Sequence, residues 1–264
     1  MMADMFSVVG KGILVTGAAG FLGRKLCTHL TSAGATVFAV DIDEGGLSEL
    51  EIATVSHPGM LTPLAADLGE ESARVGLVDQ LSSLTVSLDG VVFAAAFVGT
   101  SNIEGWAVDF AHQSVKAWRD ALELNLTAPF HLSQLLTSLL WKGVGPSIVN
   151  VGSIYGSVGP DWALYEGLTM SQPAGYAASK GGLLQLSRWL SSTLAPAIRV
   201  NCVSPGGLER GQPQEFIERY SKKTPLGRMG TEMDVLGAVV YLLSAASAYV
   251  TGQEIVIDGG LTAL

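Results

Sequence analysis

Ile13-Leu14-Val15-Thr16-Gly17-Ala18-Ala19-Gly20-Phe21-Leu22-Gly23 decides the architecture of this chain. Three apolar strand formers run into a turn of small residues, and a helical pattern over residues 24–30 follows at once. Small residues let the backbone of such a turn approach a pyrophosphate, and the helix behind it offers free N–H groups and the positive end of its dipole. Gly17, Ala19, Gly20, Phe21 and Leu22 are therefore the candidate dinucleotide-binding residues of the turn. The next strand ends at Asp41, 18 residues after Gly23, where an acidic side chain accepts hydrogen bonds from an adenosine ribose. Asp43 and Glu44 are also acidic, and no Arg or Lys stands nearby to meet a 2′-phosphate, so NAD is favoured over NADP. Asp67 and Leu68, after the third strand, are placed to touch the adenine, although Asp67 could equally cap the next helix.

Outward from this start, β-rich runs at residues 12–16, 36–40, 61–65, 90–94, 147–151, 199–203 and 254–257 alternate with helical stretches. The helices are expected around residues 21–32, 70–81, 115–124, 128–140, 174–194 and 233–244. Alternation of this kind predicts an α/β protein with a doubly wound, seven-stranded parallel sheet, a Rossmann fold in a single domain spanning residues 1–264. Such sheets bind ligands at the carboxyl ends of their strands. One connection is disproportionate: residues 155–173 contain Gly156, Gly159, Pro160, Gly167 and Pro173 with no clear period, and are expected to form a substrate loop.

Composition narrows the partners. Apolar residues make up 48% and charged ones 15%, a greasy balance that suggests a subunit interface in a homotetramer or homodimer. A formal charge of −9 argues against nucleic acid. No uniformly apolar, charge-free stretch reaches the 18 or so residues of a membrane span. The start Met1-Met2-Ala3-Asp4 lacks the basic and apolar regions of a signal peptide, so a cytoplasmic protein is expected. Cys27 and Cys202 are too few for a disulfide framework or metal cluster, and His29, His57, His112 and His131 lack metal-ligand spacing.

The chemistry is concentrated in Tyr176-Ala177-Ala178-Ser179-Lys180, 23 residues after Ser153. On a helix, residues i and i+4 are neighbours, which sets the Lys180 cation beside the Tyr176 phenol. A phenol with a pKa of about 10 is a poor base at neutral pH, but a cation about 4 Å away at an effective dielectric near 20 is worth up to about 4 kcal/mol, roughly three pKa units. That shift would suit Tyr176 for acid–base work. None of the other five tyrosines has a lysine four residues on.

Taken together, these residues resemble the short-chain dehydrogenase/reductase family over nearly the whole chain. The resemblance implies that Ser153, in Asn150-Val151-Gly152-Ser153-Ile154, and Asn125, in Leu124-Asn125-Leu126-Thr127-Ala128, complete a catalytic tetrad with Tyr176 and Lys180. Tyr176 would pass the proton, Lys180 would lower its pKa and hold the nicotinamide ribose, Ser153 would bind the substrate oxygen, and Asn125 would hold a water. Pro205, Gly206 and Leu208 are expected over the nicotinamide, with Ala95 a further cofactor contact, and residues 250–260 resemble the closing strand of the single-domain branch. The chain departs from the family in its T-G-x-x-G-x-x-G spacing, in Phe93-Ala94-Ala95-Ala96 where Asn-Asn-Ala-Gly is usual, and in about ten extra residues between Ser153 and Tyr176. The second departure requires that a structural hydrogen bond of the fourth strand be replaced or lost.

The activity so implied is interconversion of a secondary alcohol and a ketone with NAD. Residues 153–156, 160–167, 204–208 and 224–228 are similar to dehydrogenases of bacterial surface-sugar pathways, including those modifying flagellin, which makes a sugar-like small molecule the expected substrate. A 3-oxoacyl-thioester reductase, a redox-neutral NAD-using epimerase or dehydratase, and a non-catalytic NAD-sensing regulator are the alternatives.

Overall fold

The computed structural model describes residues 5–98 and 103–263; the Met1-Met2-Ala3-Asp4 start lies outside them. The chain runs β1 (Gly12–Thr16), α1 (Phe21–Ser32), β2 (Thr36–Asp41), α2 (Glu44–Thr54), β3 (Met60–Ala65), α3 (Glu71–Leu84) and β4 (Gly90–Phe93). Then come α4 (Val115–Leu122), a π-helical turn (Glu123–Thr127), α5 (Ala128–Leu140), β5 (Ser147–Val151), α6 (Ala174–Leu194) and β6 (Arg199–Pro205). The last elements are α7 (Gln214–Lys223), α8 (Glu232–Leu243) and β7 (Glu254–Ile257). The sheet order is β3-β2-β1-β4-β5-β6-β7, with every neighbouring pair parallel. The chain leaves β1 toward one edge and returns beside it at β4, so the crevice outside these two strands is the topological switch point where ligands bind in such sheets.

Alternation along each strand divides the core in two. Ile13 and Val15 pack with Leu26 and Leu30 of α1 and Val239 and Leu242 of α8, whereas Leu14 joins Leu77 and Leu81 of α3 and Leu132 and Leu136 of α5 on the opposite face. Both faces are covered, which is why the strands read as nearly continuous apolar runs.

Two helices escaped the sequence reading. α2 opens with Gly45 and Gly46, poor helix formers, but Asp43 caps it by accepting a bond from Gly46 N at 2.9 Å, and Leu47 and Leu50 are buried. α7 is largely polar, and only Phe216 and Tyr220 are buried. No helix among the described residues is long and apolar enough to cross a membrane.

Candidate active site

The turn between β1 and α1 is closed so tightly that glycine is demanded at two positions. Gly17 has φ 68°, and a Cβ there would lie 2.7 Å from Ala95 N. A Cβ on Gly23 would lie 1.9 Å from Gly17 O, because the first turn of α1 rests directly on the preceding loop. Gly20 forms the N-cap of α1 without a side-chain cap, so the leading N–H groups stay available to an anion. A bare backbone cradle at an uncapped helix end fits the diphosphate of a dinucleotide. Thr16 Oγ1 accepts from Ala94 N at 3.1 Å and from Ala95 N at 3.2 Å, which ties the chain after β4 to the end of β1; no side-chain bond is made by the alanines there.

At the end of β2, Asp41 accepts bonds from Ala19 N at 2.9 Å and Asp43 N at 3.1 Å, one on each carboxylate oxygen. The fold corrects one expectation at this corner. Arg24, distant from Asp41 in sequence, donates to Ala19 O at 2.7 Å and pairs with Glu49 at 3.1 Å, and a Cβ on Gly46 would meet both Arg24 Nη2 and Asp43 Oδ2. A basic group does stand near the ribose position, committed to acidic neighbours. Asp67 accepts from Gly69 N at 2.9 Å and so closes a turn; α3 begins at Glu71 behind Glu70, so Asp67 is not its cap. The Leu68 side chain is buried in the core, and its backbone carbonyl accepts from Arg74 Nη1 at 2.7 Å.

Ser153, Tyr176 and Lys180 line one cavity of about 610 Å³ together with Gly17, Gly20, Phe21 and Leu22 of the turn and Pro205, Gly206 and Leu208 beyond β6. Ala19, Asp41, Asp67, Leu68 and Ala95 are not in this lining, although Ala94 and Ala96 are. Tyr176 packs beside Trp106 and Ala121. Burial raises its pKa, while a hydrogen bond with Ser153 and the charge of Arg210 pull the other way. The sequence reading assigns the lowering to Lys180. Instead the Lys180 ammonium, 5.8 Å from the Tyr176 ring centroid, donates to Val151 O at 2.7 Å, and burial lowers its own pKa to about 8. Asn125 is engaged through its whole side-chain amide. Its Oδ1 accepts from Phe97 N at 2.8 Å and its Nδ2 donates to Phe97 O and Ser179 Oγ at 3.1 and 3.0 Å. Both amide protons are spent on joining the chain after β4 to α6, and Asn125 does not line the cavity. It sits in the π-helical turn, a feature that often marks a functional position.

The loop of residues 155–173 is not loose. Trp162, Tyr165, Phe216 and Tyr220 form a ladder with successive centroid distances of 5.7, 5.3 and 5.9 Å, and Gly207 N donates to the Tyr220 hydroxyl. Tyr155 and Tyr165 share a bond of 2.8 Å between their hydroxyls at the cavity wall. Asp161 of this loop is paired with Lys223. Arg210, which sequence reasoning missed, lines the cavity with its guanidinium 5.0 Å from the Phe21 ring centroid and its Nε bonded to Glu232 at 2.7 Å. Its signal was a charged residue five places beyond Pro205, in a segment already expected at the cofactor.

Known proteins are similar to this chain over nearly its whole length. A family model described as enoyl-(acyl carrier protein) reductase matches residues 17–262. The crystal structure of a short chain dehydrogenase from Leptospira borgpetersenii with bound NAD+ is similar at a TM-score of 0.85 and 31% identity, covering 97% of this chain and 94% of that one. The chain is a short-chain dehydrogenase/reductase. As such it is an oxidoreductase acting on CH–OH groups, and a nicotinamide dinucleotide is its cofactor. This dehydrogenase/reductase is 32% identical to nodulation protein G of Rhizobium meliloti, over 97% of this chain and 99% of the relative. It is 30% identical to post-translational flagellin modification protein A of Campylobacter coli, over 95% and 97%.

Proposed function

We propose that this enzyme interconverts a secondary alcohol and a ketone of a polar, hydroxylated small molecule such as a sugar derivative, using NAD in preference to NADP. The observation that supports it best is the convergence of Ser153, Tyr176 and Lys180 on the cavity that also contains the glycine turn. When bound, the nicotinamide supplies or accepts the hydride. In reduction Tyr176 gives its phenolic proton to the carbonyl oxygen, and Ser153 donates a second hydrogen bond to that oxygen as charge develops on it. Lys180 keeps two ammonium protons beyond the one given to Val151 O, free for the cofactor ribose and for restoring the Tyr176 proton. Asn125 acts as a positioning residue through Phe97 and Ser179. Residues 155–173 form the substrate wall of a single domain. The test is NADH oxidation over a panel of hydroxylated ketones; tight NADH binding with no turnover on any of them would favour a sensor over an enzyme.

Preference for NAD follows from charge. A 2′-phosphate at the β2 end would face Asp41, Asp43 and Glu49, with Arg24 already engaged by Ala19 and Glu49. We expect kcat/KM for NAD to exceed that for NADP by about tenfold or more, and Asp41→Asn to narrow the ratio by about tenfold (about 1.4 kcal/mol). Equal use of both cofactors by the wild type would remove Asp41 from the ribose.

The Lys180 pKa of about 8 sets a pH limit. Reduction needs the ammonium, which is present below that pH and lost above it, so kcat/KM for ketone reduction should be level to about pH 8 and then decline. A profile flat to pH 10 would show that Lys180 keeps its proton throughout.

Trp118 of α4, Phe130 of α5 and Trp189 of α6 are 38%, 37% and 55% exposed, with Trp141 just past α5 at 64%. So much aromatic surface suits a homotetramer or homodimer, which the mass in solution will test. The buried free thiols of Cys27 and Cys202 fit a cytoplasmic enzyme.

A further inference from the structure

Gln172 differs from every other polar side chain around the cavity. It is 7% exposed, and its Nε2 is buried with no hydrogen-bond partner among the described residues. It lines both the reaction cavity and a second cavity of about 720 Å³ that shares residues 169–172 with it. Bonds on both sides hold its backbone in place: Ser171 Oγ donates to Val108 O at 3.2 Å, and Ala174 N donates to Gln113 Oε1 at 3.0 Å. Gln113 lines the same chamber but is committed at both ends of its amide, since its Nε2 donates to Val108 O at 3.2 Å. One glutamine is a staple. The other leaves a buried amide unpaired in the wall that the two cavities share, an arrangement that native structures rarely tolerate without a reason.

The second cavity restricts what can lie against that wall. Its lining includes Asp109 and Glu166 but no lysine or arginine, and Phe110, Pro160, Trp162 and Leu168 supply apolar wall. No lysine or arginine of that lining would meet a phosphate- or carboxylate-bearing arm. An uncharged, oxygen-rich molecule can lay its C–H face on Trp162 and present an oxygen to Gln172, in the usual manner of apolar pockets with few polar groups.

We propose that Gln172 is a specificity-determining residue: its side-chain amide turns out of its buried position to bond a hydroxyl or carbonyl oxygen of a neutral, oxygen-rich substrate away from the reacting carbon, and the uncharged remainder lies in the second cavity. The proposal rests on the alcohol–ketone reading above and names the substrate class it serves.

The probes are cyclohexanol, the 1,2-, 1,3- and 1,4-cyclohexanediols, and 3-hydroxycyclohexanecarboxylate, assayed with NAD and with NADP. At least one diol should surpass cyclohexanol by about tenfold in kcat/KM, expressed in KM, and the carboxylate should fall below cyclohexanol. In Gln172→Met the diol-to-cyclohexanol ratio should shrink to within about threefold of one, with Tm equal to or above wild type, because an unpaired buried amide has been replaced by an apolar chain of similar length. Gln172→Asn, which keeps the amide but withdraws it, should lie between the two. Absence of any diol preference, or a lowered Tm with the preference intact, would overturn the proposal by making Gln172 a structural residue. If none of the alcohols is oxidised, the activity reading fails for this class. Gln172 is then read from the Tm shift that each diol gives the NADH-loaded protein, and equal shifts in wild type and Gln172→Met would overturn its role.

Discussion

Tyr176→Phe is expected to lower kcat by about 10²–10⁴-fold while NADH affinity stays within a few fold. The substitution removes one hydroxyl and almost no volume from a ring packed beside Trp106 and Ala121, so the fold and cofactor groove have no reason to change. What is lost is the proton that Ser153 and Arg210 help to mobilise against the effect of burial. Steady-state turnover and NADH fluorescence titration on the same preparation separate the two effects. Retention of more than about a tenth of wild-type kcat would place the proton donor elsewhere. Tyr155 and Tyr165 would then be the next candidates, since their paired hydroxyls face the same cavity.

Gly23→Ala should weaken dinucleotide binding by about one to two orders of magnitude and lower Tm. The added methyl would stand 1.9 Å from Gly17 O and 2.7 Å from Ala18 Cα, both backbone atoms, so the helix must move off the turn. Overpacking of this kind costs about 1–3 kcal/mol, and the displacement opens the cradle that should receive the diphosphate. Gly76 is the control: nothing lies within 4 Å of a Cβ there, and Gly76→Ala in α3 should bind cofactor as wild type and gain slightly in stability. Unchanged NADH affinity in Gly23→Ala would show that the turn does not hold the diphosphate.

Much of this protein was legible along the chain because the signals are local. The glycine turn, seven apolar strands and the four-residue step from Tyr176 to Lys180 each depend on neighbours in sequence, and period-two and period-3.6 patterns specify which faces are buried. The parallel sheet with α1, α5 and α6 followed at the expected bounds. α2 and α7 were missed because their helical state comes from packing and capping. The Asp43 cap and the burial of Leu47 and Leu50 overcome two glycines in α2, and Phe216 and Tyr220 anchor an otherwise polar α7 to the loop.

Sequence alone therefore determined the architecture and the family, and pointed to the residues proposed for the proton chemistry. Tertiary structure alone decided how those residues are engaged, since side-chain partners come from segments far apart in the chain. Arg24 reaches the Asp43 corner through Gly46, and Arg210 reaches Phe21. Lys180 turns to Val151 O, and the Asn125 amide is consumed by Phe97 and Ser179. Gln113, fifty-nine residues earlier, bonds Val108 O and Ala174 N beside Gln172, whose own Nε2 has no partner among the described residues. Which polar group is satisfied and which is free depends on distances of about 3 Å between such segments, and no local pattern encodes them.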